Sequence, residues 1–567
     1  MNQPTPAIVA QGAVRRLPRL ALLMLCLAYI MPGLFGREPW RNADMATFGY
    51  MVEMARGATS WLDPRLLGLR PEADGLLPYW IGAWFIQWGP ACVPSVLLAR
   101  LPFALMLALT LAATWYAVYN LASHPRAQPV AFAFGGEANP TDYARAIGDG
   151  GLLALIASLG LAQLSHEVTT HLAQLCFAAL TFYAASAIGH RVRLPVVGLF
   201  FGLGGLVLSA APSLAVLFGA GAAILHFLAA DPGPGGRRRA LRAAGLLALA
   251  TLLAAALASA LELWHWRILL PQDAGSKDWR SLARLLLWFT WPAWPLALWT
   301  LWRWRRQIVM APVNLHLALP LWFVAVTIAT TLITKPADRA LLLALPALAT
   351  LAAFALPTLR RSVAALIDWF TLLFFTGCGI VIWVIWFAMQ TGVPSQAAAN
   401  VFKQAPDFHA TFDLATFVIA VSASLVWAWL VQWRVGRHQA AIWKSLVLPA
   451  SGAALCWLLL MTLWMPLLDF VRSYRLVADR VEALVGPRAC LQAADLDRDQ
   501  IAALQFHGGF RLVPAAPTSE CNWLIADPGL LAQGRSQPDP ALWQAQTPIE
   551  RASGKGDEFQ LFRKITP

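Results

Sequence analysis

Charge is what this 567-residue sequence has least of: Asp, Glu, Lys and Arg make up 13%, against 58% hydrophobic residues. A soluble chain of this length needs about 25% charge to clothe its surface, so the composition argues against a soluble globular protein. Metal-binding cysteine spacing is also missing from the seven cysteines present. Cys26, Cys176, Cys378 and Cys456 sit inside apolar runs and read as packing residues. Cys490 and Cys521 lie in a polar C-terminal segment, where a disulfide on an oxidising side of a membrane and two free thiols are both open readings. The sequence has no internal repeat and no coiled-coil pattern. The first apolar run lacks the small-residue ending of a cleaved signal peptide and is expected to stay as a helix.

What the sequence does have is apolar length. Many runs reach the roughly 20 residues that span a bilayer core. A backbone crossing lipid must satisfy its own hydrogen bonds, so such runs are helices. They lie near 17–35, 94–122, 149–165, 168–190, 194–211, 213–230, 240–263, 282–302, 315–333, 340–358, 366–390, 412–433 and 444–468. The fold expected is an all-α polytopic membrane protein with about 13 transmembrane helices.

The net charge of +13 could signal nucleic acid, but its excess sits in short loops between the runs. Arg191 and Arg193 form one cluster, and Arg237, Arg238, Arg239 and Arg242 another. Arg303, Arg305 and Arg306, then Arg360 and Arg361, then Arg434 and Arg437, complete the series. This is the positive-inside pattern, and it places the N-terminus in the cytoplasm. An odd number of crossings then puts residues 470–567 outside, in the periplasm of a Gram-negative cell. That segment is expected to be a small C-terminal α/β extracytoplasmic domain, with a helix near 473–485 and short strands at 490–491 and 523–526. Residues 1–469 form the membrane domain. The 27 tryptophans suit side chains that anchor at a membrane interface.

One polar stretch stands out directly after the first run. Residues 36–93 are long and amphipathic, with two helices expected at the membrane surface near 43–56 and 76–88. This loop carries Glu38, Asp44, Asp63, Arg70 and Asp74 among its charges. Further polar groups follow on the same expected side: His166 and Glu167 after the third run, Arg267 after the seventh, and Lys335 and Arg339 after the ninth. Most loop charges are simply solvated. Asp44, His166 with Glu167, and Lys335 with Arg339 lie at helix ends, where ionisable groups beside lipid point to function. A carboxylate can take a proton from an attacking hydroxyl or amine. Cations can bind a phosphate and stabilise it as it leaves. Together they suit group transfer from a lipid-linked phosphate.

The stretch from Arg37, Glu38, Pro39 and Trp40 through Asp44 to Gly49 resembles the first-loop motif of bacterial GT-C glycosyltransferases. The resemblance is to the family 39 type, the lipid A aminoarabinose transferase and protein O-mannosyltransferase group. Pro78-Tyr79-Trp80, Ala99-Arg100-Leu101-Pro102, the Trp291 to Pro295 segment, and Lys335 to Arg339 followed by Leu345-Pro346 occur in the order typical of that group. The resemblance implies a GT-C transmembrane catalytic domain and an inverting transfer by direct displacement. The donor would be a polyprenyl-phosphate-linked sugar, on undecaprenyl phosphate, and the acceptor an envelope glycolipid such as lipid A, a glycan or a protein. The location implied is the outer face of a bacterial inner membrane. By this resemblance Asp44 is the catalytic carboxylate, with Glu38, His166 and Glu167 as further catalytic candidates. Lys335 and Arg339 would hold the donor phosphate. The sequence departs from the pattern twice. Ala43 replaces one of the usual acidic pair, and Asp74 stands where a lysine before two prolines is usual, so Arg70 or Arg267 would supply that charge. No cofactor is required; a divalent metal is compatible, but no ligand cluster demands one. Two other classes fit less of this pattern: a polyprenyl-lipid flippase, and a non-catalytic membrane scaffold using residues 470–567 as its contact module.

Overall fold

The computed structural model describes residues 5–565 apart from 74, 190–192, 231–233, 265–275, 334–336, 436–440, 517–518, 533–537 and 552–556. Among the described residues, six helices are long and apolar enough to cross a membrane: Ser95–Ala122, Gly235–Ala260, Leu315–Ile333, Arg361–Thr391, Leu414–Arg434 and Ile442–Leu463. Shorter apolar helices include Arg19–Ile30, Arg193–Leu208, Pro212–Leu228 and Leu345–Thr358. The protein is thus mostly helical and polytopic, while length and composition alone do not reproduce a count of 13.

Two expected crossings prove to be broken. The run near 282–302 is split into Ser276–Phe289 and Ala293–Arg303, because Pro292 has no N–H to give a continuing helix. The run near 340–358 divides into Ala337–Leu342 and Leu345–Ala355. The crossing placed at 149–165 begins earlier, as Pro140–Ala157, with proline at its first turn.

The chain divides into two compact units. The first comprises Met1–Pro32, Phe103–Gly379 and Val421–Leu458. Its core is aliphatic and aromatic: the rings of Phe218 and Phe323 stack at 4.2 Å, with Phe182 edge-on to Phe323 at 5.0 Å. Asp368, on the helix Arg361–Thr391, pairs with Arg434 at 2.5 Å, so this carboxylate within an apolar helix has its countercharge.

The second unit comprises Gly33–Pro102, Ile380–Ala420 and Leu459–Pro567. It therefore groups the first loop with the C-terminal region, which a boundary between residues 469 and 470 separates. Both loop helices expected from the sequence are present, as Ala43–Ala55 and Leu77–Trp88. The first is buried along most of its length, including Phe48, Tyr50 and Met51. Its partner is the helix Arg498–His507. Gly49 makes that approach possible, since a Cβ there would lie 2.4 Å from the Cβ of Ala502. Phe48 meets Phe506 edge-on at 4.7 Å.

The C-terminal region is an α/β layer with strands β1 (Cys490–Ala494), β2 (Arg511–Pro514), β3 (Trp523–Ala526), β4 (Trp543–Ala545), β5 (Ile549–Glu550) and β6 (Asp557–Lys564). The sheet order is β2-β1-β3-β6-β4, with β5 also paired to β6. β1 runs parallel to β2 and β3, and β6 runs antiparallel to β3 and β4. A parallel neighbour needs a crossover, and the helix Arg498–His507 supplies it between β1 and β2. Asp497 and Gln500 close a capping box at that helix's start. Cys490 and Cys521 form a disulfide that closes a sequence separation of 31 residues, settling the alternative left by the sequence.

Candidate active site in the first loop

Asp44 sits in the first turn of the helix Ala43–Ala55 and is buried, 2% exposed. Its Oδ2 accepts a hydrogen bond from Arg37 Nη2 at 3.2 Å and from the Trp40 backbone N–H at 3.0 Å. Arg100 brings a second guanidinium, with Nη2 at 4.0 Å from the same oxygen. Arg100 Nη1 also donates to the backbone carbonyl of Arg37. Both arginines are buried, so each has left water and needs charge and hydrogen bonds in return.

A second carboxylate completes the cluster. Asp469, on the helix Met465–Arg472, accepts the Trp40 Nε1–H at 2.7 Å through Oδ1 and the Glu38 backbone N–H at 3.2 Å through Oδ2. Burial pushes the Asp469 carboxyl up to about 6, against the opposing pull of these N–H donors and of Arg37 and Arg100. The cluster therefore balances two guanidiniums with two carboxylates around one indole when Asp469 is ionised. The ring of Trp40 also receives the guanidiniums of Arg37 and Arg472, whose central carbons lie 4.6 and 4.8 Å from its centroid.

Neighbouring contacts tie the loop to the C-terminal region within this unit. Glu38 Oε1 pairs with Arg475 Nη1 at 2.8 Å, which gives Glu38 a clamping partner. Arg41 Nη1 meets Glu558 Oε2 at 2.6 Å, and its guanidinium covers the Tyr474 ring at 4.6 Å. The Asn42 N–H and the Tyr474 hydroxyl both donate to Asp499 Oδ2 at 2.7 Å. Asn42 takes a positive φ of 68° to turn the chain into the helix behind it. Arg70 is exposed and pairs with Asp63 at 3.0 Å.

The first unit holds the other described candidates. Glu167 Oε2 and Arg339 Nη2 lie 3.6 Å apart, and Gln163 donates to Glu167 Oε1 at 2.9 Å. The structure thus joins two residues 172 positions apart that the sequence placed at the ends of different helices. His166 packs its ring on Trp457 with centroids 4.5 Å apart. Its Nδ1 lies 2.5 Å from the Ala162 carbonyl, and its Nε2 lies 2.8 Å from the Tyr29 carbonyl and 3.1 Å from Trp457 Nε1. Both ring nitrogens therefore lie within hydrogen-bonding distance of neighbouring groups. Arg267 and Lys335 lie outside the described residues. Among the described residues no group of three or more His, Cys, Asp or Glu stands at metal-ligating proximity.

Sequence reasoning quoted Arg37, Trp40 and Arg100 within motifs without assigning them to Asp44, and it missed Asp469 altogether. Asp469 directly follows the last apolar run, so hydropathy counts it as the first solvated residue.

No protein-family model matches the chain, and no curated protein matches it by sequence. Its fold is similar to that of the crystal structure of ArnT from Cupriavidus metallidurans bound to undecaprenyl phosphate. The TM-score is 0.58 at 15% identity, covering 97% of this chain and 98% of that one. The apo-state structure of the same ArnT gives a TM-score of 0.57 at 15% identity, covering 96% of each chain. Along nearly its whole length, this chain has the ArnT-like GT-C fold.

Proposed function

We propose that the protein is an integral-membrane glycosyltransferase that moves a sugar from a polyprenyl-phosphate carrier to an acceptor of the cell envelope. The observation that carries this reading is the near full-length likeness in fold to an ArnT bound to undecaprenyl phosphate. The buried carboxylate and guanidinium cluster at the start of the first loop supports it. The carrier is undecaprenyl phosphate, and the favoured acceptor is a glycolipid such as lipid A, on the outer face of a bacterial inner membrane.

The reaction is a single displacement. The acceptor oxygen attacks the anomeric carbon while the bond from that carbon to the carrier phosphate breaks. The acceptor proton passes to Asp44, and the phosphate leaves with the bonding electrons. Asp44 is suited to this because its pairing with Arg37 and the Trp40 N–H fixes one oxygen in place. Lys335 and Arg339 bind the phosphate; Arg339 exchanges its 3.6 Å contact with Glu167 for a shorter, charge-assisted one. Arg70 or Arg267 supplies the charge of the lysine usual in the first loop of the resembled group.

Mass spectrometry of envelope lipids tests the proposal in a deletion strain complemented with the wild type or with Asp44→Asn. A sugar-bearing glycolipid should vanish on deletion, return with the wild type and stay absent with a folded Asp44→Asn protein. Glycolipids and glycoproteins identical in all three strains would overturn it.

A further inference from the structure

The displacement described above gives Asp469 no part, yet Asp469 is wired into the loop that carries Asp44. Its two oxygens serve two donors in that loop, the Trp40 indole at 2.7 Å and the Glu38 backbone at 3.2 Å. Trp40 in turn donates its own backbone N–H to Asp44 at 3.0 Å. One residue therefore links the two carboxylates, its side chain on Asp469 and its main chain on Asp44. The Arg41 N–H adds a bond of 3.0 Å to the Arg472 carbonyl at the end of the helix that carries Asp469. Moving Asp469 would release Trp40, and the donor that orients Asp44 would move with it.

The charges around Asp469 are few and named. Arg37 and Arg100 favour its ionised form. Glu38 is adjacent but spends its own carboxylate on Arg475. Arg472 lies three residues along the same helix, with its guanidinium over the Trp40 ring. Asp44 accepts the Trp40 backbone N–H and is held by Arg37.

We infer that Asp469 is the positioning residue for Asp44, acting through Trp40 when ionised and releasing the loop when protonated. This deepens the transferase reading and rests on it. The carboxyl titrates at about 6, against an ordinary 3.8, because it is buried. Above that pH it accepts both N–H groups. Below it, one oxygen carries a proton, and Arg37 and Arg100 lose the countercharge of Asp469.

The effect on stability runs the opposite way. A carboxyl whose folded value is raised binds its proton more tightly in the folded state. Its contribution to stability is therefore full below about pH 4 and is lost as pH rises through about 6. The fold favours the neutral acid, while the site uses the anion. A residue kept for packing alone would show no such opposition.

The test uses the purified full-length protein in nanodiscs, with transfer rates and Tm measured from about pH 5 to pH 9. Wild type, Asp469→Asn and Asp469→Glu are compared. Wild-type kcat should fall through a one-proton limb near pH 6. Asp469→Asn, with one acceptor oxygen in place of two, should lose on the order of 10- to 100-fold in kcat at about pH 8, with KM little changed. It should also lose the limb, and its Tm should equal or exceed the wild type's above the limb. Asp469→Glu should restore the limb. A limb unaltered in Asp469→Asn, or activity and Tm falling together at every pH, overturns the inference while leaving the transferase reading intact. A wild type without transfer at any pH overturns both.

Discussion

Asp44 and Glu167 are both buried carboxylates beside an arginine, and the two pairs are held in different ways. Asp44 meets Arg37 at 3.2 Å, takes a backbone N–H as well, and has a second guanidinium at 4.0 Å. Glu167 meets Arg339 at a looser 3.6 Å, with Gln163 on its other oxygen. Charge-assisted bonds are strongest when short, so the Asp44–Arg37 pair is the tighter of the two ion pairs. In the proposed displacement the two pairs would have two duties. The proton acceptor must stay where it is, whereas the cation that receives a departing anion must be free to change partners.

The largest expected effect falls on Asp44. Its replacement in Asp44→Asn should cut kcat by about 10²- to 10⁴-fold, the usual worth of a positioned general base. Steady-state kinetics on the folded variant checks this, and a loss confined to KM would remove the proposed role. Next comes Arg37→Met, which leaves Asp44 short of its nearest cation and should destabilise the second unit by about 3–5 kcal/mol. Chemical denaturation reads that loss. A value under about 1 kcal/mol would mean the cluster is no tighter than a surface pair. Cys490→Ser opens the disulfide and should lower stability by about 2–4 kcal/mol while leaving kcat near wild type. The smallest expected change is in Glu167→Gln. The amide keeps the Gln163 contact and frees Arg339, so stability should fall by only about 1 kcal/mol. The KM for the polyprenyl-phosphate donor should fall severalfold, and a KM that rises instead would show that Glu167 orients Arg339 for binding.

The sequence reading succeeded where the information is local. Apolar length exposes the long helices, and the loop helices Ala43–Ala55 and Leu77–Trp88 lie within a residue or so of their expected bounds. The strand at Trp523–Ala526 falls where its β-prone residues place it. The reading failed where a partner lies far along the chain. Trp40 and Asp469 are 429 positions apart, and no periodicity connects them. Hydropathy also hides breaks inside apolar runs, so Pro292 was read as part of a crossing that it ends. The neighbours of His166, two backbone carbonyls and the Trp457 indole, are likewise invisible in the sequence, because two of the three come from distant segments.

The bare backbone at Gly49 has a consequence for how this protein can evolve. With a single hydrogen for a side chain, the loop helix nests against Ala502 so closely that neither surface is finished without the other. Removing the last hundred or so residues would strip the cover from Phe48 and its neighbours. A side chain at position 49 would therefore need room made for it at Ala502.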